Sequence, residues 1–381
     1  MIVFNTYNYI IKIKRVFVKH LEKQTLKNHW LFTTMFLCTL ISLFFAFPSY
    51  EAIDPSVGRL KLFLMQCNSI TEFWQNYNYT NLSYRITVPL FLNIIGGGLI
   101  SSIIMRHIVG VILFGLCSLI IFKFTKDRVS ALLFSLALAL TVPGFTSFCE
   151  YRGNFDGIAL FLIILAFHFR NPFIVISCLI FGFFTDERTL FSIGFLIVYG
   201  IMISQYNFNN KKRYVNLYNF SILVGLLSYI LLRLWIYLEY HINIQEILQM
   251  SNGWILLGQI NNIPLALWTG LEGFWLIIFI SVYILIKNKD FIPASIYIFT
   301  IVVLAIAGNS VTDSTRSIMY IFPATIVGVK IISDNTDKNE VRNILLLTLF
   351  FSFIWPSYGV GGKSSIWWQY PLPLQMLRWY F

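Results

Sequence analysis

Groups of acidic and basic side chains interrupt an otherwise apolar chain of 381 residues. A carboxylate can take a proton from a hydroxyl group, and the planar guanidinium of Arg matches the oxygens of a phosphate. Four such groups stand at turns between apolar runs: Glu51 with Asp54; Glu150 with Arg152 and Asp156; Asp186 with Glu187 and Arg188; and Asp313 with Arg316. Proton transfer and phosphate binding are therefore the chemistry that these residue types predict.

A structural explanation is open for any one of these groups, because Asp and Glu are favoured near the amino ends of helices and are readily solvated in loops. It is less satisfactory for all four, since a short turn needs only Gly, Ser or Asn. Ionisable residues at the edge of a hydrocarbon layer are also costly. The four groups together predict a shared polar pocket.

The apolar runs predict the elements that hold these groups. Of all residues, 57% are apolar and only 12% are charged, with a mean hydropathy of +0.72, and a helix that crosses a bilayer needs about 20 mainly apolar residues. We predict an all-α, polytopic transmembrane helical bundle of about ten or eleven spans, with residues 1–381 forming a single membrane domain. The predicted spans lie near residues 30–48, 107–124, 129–147, 157–169, 172–184, 189–204, 218–236, 266–287, 291–308, 317–332 and 343–358.

Two segments flank the first predicted span. Residues 1–29 are basic and are expected in the cytoplasm, whereas residues 49–106 are expected to form a first outer loop with interfacial helices. Within that loop, residues 84–102 are apolar but are interrupted by Pro89 and by three consecutive glycines. These breaks predict an interfacial or re-entrant helix rather than a span.

The Lys and Arg residues predict the orientation. About two thirds of the 28 fall in segments that this topology assigns to the cytoplasm, as the positive-inside rule requires. Most of the 17 carboxylates fall on the opposite side, and they had no part in the assignment. We therefore predict a multi-pass protein of the cell (inner) membrane, with a cytoplasmic amino terminus and the four charged groups facing outside. Because the basic loops explain the net charge of +11, no nucleic-acid partner is expected.

Other chemistry has less support in the sequence. The five His residues are scattered and lack the spacing of metal ligands, so no metal site is predicted from the residues. Two charged residues lie inside apolar runs: Glu272 lies within residues 265–286, and Arg233 lies within residues 231–238. We expect these two side chains to pair with each other near the outer leaflet.

The order of the features resembles the GT-C superfamily, whose members are polytopic membrane glycosyltransferases that use polyprenyl-phosphate sugars. The resembling features are the acidic residues after the first predicted helix, the segment Tyr84-Arg85-Ile86-Thr87-Val88-Pro89-Leu90, and the segment Asn154-Phe155-Asp156-Gly157-Ile158-Ala159-Leu160 with Asp186-Glu187-Arg188 after it. The resemblance implies a GT-C-like bundle. It also implies transfer of a sugar from a polyprenyl phosphate in the bilayer to an acceptor outside, in the assembly of a surface glycan or glycolipid.

The resemblance also implies roles for particular residues. An acidic residue of the first outer loop acts as base or metal ligand in that superfamily, which would be Asp54 or Glu51 here. We favour Asp54, because Asp54-Pro55 predicts a rigid turn that fixes the direction of the side chain. The metal-ligand role would bring in a divalent cation, and no other cofactor is implied. The expected substrate-binding residues are Arg85, Arg152, Asp156, Asp186, Glu187, Arg188, Asp313 and Arg316.

Two other functions stay open. An O-antigen or capsule polysaccharide polymerase also works on lipid-linked sugars through loop arginines, but it usually has its largest loop late in the chain, whereas the longest loop here comes early. A transporter or flippase of lipid-linked sugars would need charged residues near the bilayer midplane and paired broken helices in its two halves. The sequence shows neither feature clearly.

Overall fold

The protein is almost entirely helical in the computed structural model, which describes residues 16, 18–77, 81–150, 153–204, 216–242, 260–311, 313–354, 358–361, 364–367 and 369–381. The α-helices are α1 (Trp30–Phe45), α2 (Gly58–Asn68), α3 (Ile70–Asn76), α4 (Thr87–Ile94), α5 (Leu99–Thr125), α6 (Arg128–Leu140), α7 (Val142–Cys149), α8 (Asp156–His168), α9 (Pro172–Phe183), α10 (Ile193–Ser204), α11 (Leu217–Tyr240), α12 (Ile263–Leu271), α13 (Trp275–Lys287), α14 (Phe291–Asn309), α15 (Ser314–Ile318), α16 (Phe322–Asn335), α17 (Lys338–Ile354) and α18 (Leu372–Tyr380). Short 3-10 helices cover Tyr50–Ala52, Asn81–Tyr84, Glu187–Ser192, Ile260–Asn262, Glu272–Phe274 and Met319–Ile321. Residues 18–25 are also helical, apart from α1.

Six helical segments among the described residues are long and apolar enough to cross a membrane, or seven if the bent pair α6 and α7 counts as one span. The prediction of an all-α multi-pass bundle is confirmed, but the helices of spanning length among the described residues are fewer than the ten or eleven spans predicted. Three further apolar helices, α1, α8 and α9, are shorter, with 16, 13 and 12 residues. The two shortest lie where the sequence predicted spans of only 13 residues, and they pack against each other.

The helices alternate in direction, so the turns between them gather at two ends of the bundle. At the upper end, residues 46–60, 84–87, 149–156, 184–188 and 310–317 are joined by hydrogen bonds between side chains. At the lower end, residues 22–28, 125–128, 288–290 and 335–342 are joined in the same way. All four predicted charged groups belong to upper-end segments, and the positive-inside prediction assigns the lower end to the cytoplasm.

The spanning candidates differ in how deeply they are buried. The segment Ser314–Asn335, which contains α15 and α16, has 89% of its apolar window buried and forms the centre of the bundle. In α11 only 28% of the window is buried. Its exposed side carries large apolar residues such as Leu231 and Trp235. A helix with this much apolar surface fits a position against lipid.

The broken segment at residues 84–102 is partly as predicted. α4 has eight residues, about 12 Å at 1.5 Å per residue, so it is too short to cross a bilayer. The glycines interrupt the helix, as predicted. Pro89 does not interrupt it, because it lies in the first turn of α4, where the backbone amide needs no helical hydrogen bond. Residue Thr87 ties the segment to the end of α9 through its backbone amide and hydroxyl, which donate to the carbonyls of Phe184 and Phe181. The long helix α5 then begins eight residues before the predicted span.

Two spanning segments are broken in the middle, which the sequence did not predict clearly. The angle between α6 and α7 is 59°, at Thr141. Pro143 follows the break, and a Cβ atom on Gly144 would lie 2.0 Å from the carbonyl oxygen of Leu138, so only glycine fits this bend. The second break lies between α12 and α13, where Glu272 has a φ of 49°. Phe134 of the first segment packs on Phe274 of the second, with ring centroids 5.1 Å apart.

The tail crosses the upper end of the bundle. Strands β1 (Tyr358–Gly361) and β2 (Ser364–Trp367) form an antiparallel hairpin, and α18 follows it. The backbone amide of Val360, which is fully buried, donates to the Thr315 hydroxyl at 2.7 Å. The sequence predicted only an interfacial aromatic tail here, so the hairpin and its attachment to α15 are a finding of the structure.

Candidate functional site

Asp156 is the centre of a buried charged cluster at the upper end. This fully buried residue begins α8, and its carboxylate accepts hydrogen bonds from three side chains. Arg188 Nη2 donates to Oδ1 at 2.5 Å, Arg316 Nε donates to Oδ2 at 2.6 Å, and the Tyr320 hydroxyl donates to Oδ1 at 3.0 Å. Both oxygens are therefore occupied by partners at least 32 residues away in the chain.

Asp186 extends the cluster towards the segment before α4. Its carboxylate caps the 3-10 helix that follows, accepting from the backbone amide of Arg188 at 3.0 Å and from Nε of the same residue at 2.8 Å. Arg85 Nη1 lies 3.3 Å from Asp186 Oδ2. Arg85 also binds Glu187 with two hydrogen bonds, from Nε at 3.0 Å and from Nη2 at 2.8 Å. Two acidic residues and two arginines thus form one connected network.

The electrostatics keep these groups charged. Burial alone would raise the pKa of the Asp186 carboxyl, but Arg188 and Arg85 beside it hold that pKa below its ordinary value. Burial would lower the pKa of Arg85, yet the neighbouring Asp186 and Glu187 raise it above its ordinary value. Each charge is therefore stabilised by its partner, and removal of one partner would leave a buried charge unpaired.

The segment around α15 completes the cluster. Arg316 Nη1 donates to Asp313 Oδ2 at 2.8 Å, and Arg188 Nη1 donates to the Ser317 hydroxyl at 2.8 Å. The side chain of Arg316 is buried, whereas that of Asp313 is 47% exposed. We use the name charged cluster for the seven residues that these contacts join: Arg85, Asp156, Asp186, Glu187, Arg188, Asp313 and Arg316.

Arg59 connects residues 46–60 to the segment just before Asp156. Its Nη1 donates to Asn154 Oδ1 at 2.6 Å, two residues before Asp156. The loop lies close to the chain at Gly153, which has a φ of 85° and whose Cβ position is 3.0 Å from the Arg59 carbonyl oxygen. The pKa of Arg59 is lowered first by partial desolvation and then by repulsion from Arg85 and the other cluster arginines. The Arg59 guanidinium is therefore partly desolvated and lies near other guanidinium groups.

The two predicted catalytic residues lie outside the charged cluster. Asp54 is exposed, and its Oδ1 accepts from the backbone amide of Ser56 at 2.9 Å and from the Ser56 hydroxyl at 2.6 Å. These hydrogen bonds lower the pKa of the Asp54 carboxyl, so it is ionised at neutral pH. Glu51 accepts a hydrogen bond from Gln375 Nε2 of α18. Neither carboxylate pairs with the cluster within the part of the chain that the structure describes.

Two further residues, Glu150 and Arg106, lie near this site. Arg152, which the sequence predicted as a site residue, falls outside the described residues. The backbone carbonyl of Glu150 accepts a hydrogen bond from Arg106 Nη1. Arg106 is buried inside α5, with its guanidinium 4.3 Å from the centre of the Phe155 ring. The sequence analysis missed Arg106, Arg59 and Tyr320 as members of this region. A lone Arg inside an apolar run is the signal that could have identified the first of them.

The predicted pair of Glu272 and Arg233 is wrong. Arg233 Nη1 donates to the Tyr229 hydroxyl at 2.7 Å, and its guanidinium lies 4.1 Å from the centre of the Tyr84 ring. Glu272 is fully buried at the break between α12 and α13, and neither carboxylate oxygen has a hydrogen-bond partner among the described residues. The two side chains belong to helices whose packing separates them, and aromatic rings take the place of the carboxylate beside Arg233.

The carboxylates of the charged cluster are paired with guanidinium groups. Among the described residues, no group of three or more His, Cys, Asp or Glu side chains could hold a metal ion. We found no protein-family model, curated protein or solved structure that matches this chain.

Proposed function

We propose that this protein is a membrane glycosyltransferase, which moves a sugar from a polyprenyl-phosphate donor to an acceptor at the upper end of the bundle. The observation that carries the proposal is the charged cluster itself, in which arginines from three separate segments meet at one edge of an apolar helical bundle. A lipid-borne sugar phosphate presents its charged group at this depth, and its prenyl chain fits the surrounding apolar surface.

The arginines bind the phosphate of the donor in this proposal. Carboxylates hold the guanidinium groups of Arg85, Arg188 and Arg316 in fixed orientations through direct hydrogen bonds. Arg59 forms no ion pair within the described residues and faces the same region. Preoriented guanidinium groups stabilise the negative charge that grows on a leaving phosphate, because they need no reorganisation as the bond breaks.

Asp54 acts as the general base. Asp156 and Asp186 are fully engaged with arginines, so their role is to position those arginines rather than to accept a proton. Asp54 is ionised, accessible and only five residues from Arg59, which anchors the loop at Asn154. In the reaction the acceptor hydroxyl gives its proton to Asp54, its oxygen bonds to the anomeric carbon, and the bond from that carbon to the phosphate oxygen breaks. Polyprenyl phosphate leaves with the electron pair.

A transfer assay tests the assignment. Membranes containing the parent protein, Asp54→Asn or Glu51→Gln are supplied with polyprenyl-phosphate sugars, and Glu72→Gln serves as control because it removes an exposed carboxylate from the same outer region. We expect Asp54→Asn to lower the transfer rate by about 100-fold to 10,000-fold at unchanged protein level, and the control to leave it unchanged. If Asp54→Asn and Glu51→Gln both keep near-parental transfer, the catalytic assignment is wrong.

A second candidate function is transport of lipid-linked sugars. The breaks at Thr141 and at Glu272, one in each half of the chain, favour it. The Glu272 carboxyl group also favours it, because it is buried without a hydrogen-bond partner among the described residues. Vesicles separate the two functions, because a transporter moves the intact lipid-linked sugar across the bilayer without forming a new glycosidic bond. Addition of many sugar units to one acceptor would instead support the polymerase.

A further inference from the structure

A pocket of about 420 Å³ opens at the lower end, far along the chain from the charged cluster. It lies between residues 22–26, the end of α5, the start of α6 and the start of α17. Its volume falls within the roughly 300–1,000 Å³ that small-molecule sites occupy. We call it the lower-end pocket.

The lining of the lower-end pocket has an excess of positive charge. Four cationic and two acidic side chains line it. Both acids are already engaged: Arg342 donates to Asp127 from Nε at 2.7 Å and from Nη2 at 2.9 Å, and it donates to Glu22 from Nη1 at 2.7 Å. Lys338 Nζ also lies 3.1 Å from Asp127. Asp127 and Glu22 are therefore paired with Arg342 and Lys338, and the charges of Lys126 and Arg128 remain in excess.

Lys126 and Arg128 provide the unsatisfied donors. Arg128 Nη1 donates to the backbone carbonyl of Thr25 at 3.0 Å, and its other nitrogens have no hydrogen-bond partner among the described residues. The Lys126 ammonium has none in that same part of the chain and is exposed. A positively charged pocket with free donors on a guanidinium and an ammonium group has the chemistry that binds a phosphate oxygen.

The position of the pocket indicates that the phosphate belongs to a lipid. Apolar residues Phe122 and Val129 form part of its wall. The buried Trp30 ring lies beside it, 5.6 Å from the Phe122 ring and 5.7 Å from the guanidinium carbon of Arg128. The pocket stands where the apolar runs of α1, α5 and α6 give way to polar residues, which is the depth expected for lipid headgroups. Along α1, from the pocket towards the upper end, exposed apolar side chains such as Phe32 and Phe36 offer a surface for acyl chains.

We propose that the lower-end pocket binds the phosphodiester headgroup of an anionic membrane lipid through Lys126 and Arg128. The phosphate contacts Lys126, between α5 and α6, and Arg128, at the start of α6, beside the ion pairs that Arg342 makes with Asp127 and Glu22. This site is independent of the proposed sugar transfer, since it lies at the opposite end of the bundle.

The test measures binding of the purified full chain to phosphatidylglycerol in phosphatidylcholine vesicles or nanodiscs. We expect Lys126→Gln and Arg128→Gln each to weaken the preference for phosphatidylglycerol by about fivefold, from the loss of about 1 kcal/mol per charge near the surface. Lys287→Gln and Lys289→Gln remove charges at the same end outside the pocket and serve as matched controls. Lys126→Arg and Arg128→Lys keep the positive charge, so we expect them to keep the preference for phosphatidylglycerol and to show that the positions tolerate substitution.

Three outcomes would overturn the proposal. The first is equal loss in the control variants, which would indicate only a diffuse attraction to the anionic surface. The second is full binding in the double variant Lys126→Gln/Arg128→Gln that remains monodisperse. The third is the same protection against thermal unfolding by inorganic phosphate as by phosphatidylglycerol, which would assign the pocket to a soluble phosphate compound.

Discussion

The charged cluster at the upper end and the salt bridges at the lower end are both made of Asp, Glu and Arg side chains, but the acidic residues have different partners at the two ends. Asp127, at the lower end, caps α6 by accepting from the backbone amide of Ser130 at 3.1 Å, and it also pairs with Arg342. At the upper end, both carboxylate oxygens of Asp156 accept hydrogen bonds from side chains of distant segments. An acid at a helix start can therefore combine a local cap with a long-range ion pair, as Asp127 does, or bind distant side chains with both oxygens, as Asp156 does.

The two ends also differ in their charge balance. The charged cluster has three arginines and four acids, and Arg59 brings the two signs into balance. The lower-end pocket has four cations and two acids, so positive charge remains for a ligand. A balanced network orients its arginines, whereas an unbalanced one attracts an anion at long range.

The largest expected effect is in the topology assay, where each end of the bundle should report one side of the membrane and not the other. Reporter fusions at residues 60, 155, 187 and 313 should all report export, and a fusion at residue 212 should report the cytoplasm, because the helices alternate in direction. A cytoplasmic signal at residue 187 together with export at residue 155 would contradict this arrangement, because Asp186 and Asp156 could not then lie at the same end of the bundle.

The next effect is on stability. Asp156→Asn leaves Arg316 without the buried carboxylate that it binds and leaves Arg188 with Asp186 as its remaining acidic partner, and we expect it to cost about 3–5 kcal/mol of folding free energy, the range for removing one partner of a buried pair. Asp127→Asn should cost less, because Arg342 keeps its ion pair with Glu22, whose side chain is 44% exposed. Thermal unfolding and the yield of monodisperse protein measure both variants. Equal losses would show that the two acids are equivalent, contrary to the comparison.

A smaller effect is expected from replacing Arg by Lys, which keeps the charge but loses the planar fork. Arg188→Lys and Arg316→Lys should lower sugar transfer by about tenfold, the effect of losing one hydrogen bond to a charged group. Arg342→Lys makes the same change at the lower end and should leave transfer per folded molecule unchanged. Full transfer in both upper-end variants would count against their binding of the donor phosphate.

The smallest effect is on the pH dependence of stability. Burial raises the pKa of the Asp127 carboxyl, but hydrogen bonds from Arg342, Ser130 and Lys338 outweigh it and lower the pKa below its ordinary value. A lowered folded-state pKa means that the stabilisation is present above the unfolded value, about 3.9, and is lost as pH falls through the folded-state pKa. The difference in melting temperature between the parent and Asp127→Asn should therefore shrink in acid. A constant difference down to strong acid would refute the role of the carboxylate charge.

The amino-acid sequence by itself determined where the helices lie and where the charged groups stand. Apolar runs long enough for a bilayer become helices because a backbone in hydrocarbon must satisfy its own hydrogen bonds, and this depends only on local composition. The groups around Asp156, Asp186 and Arg316 follow from the same pattern, since costly charges are confined to the ends of apolar helices. The assembly of these three groups into one cluster was predictable for that reason.

Only the tertiary structure decided which groups meet. Glu272 and Arg233 were expected to pair, yet Arg233 contacts tyrosines and Glu272 has no hydrogen-bond partner among the described residues. Arg59 joins the cluster through Asn154, whereas Asp54 of the same loop binds Ser56. The breaks at Thr141 and Glu272 and the tail hairpin were likewise set by packing. Contacts between residues separated by a hundred positions or more depend on how helices pack and cross, and hydropathy along the chain carries no information about that choice.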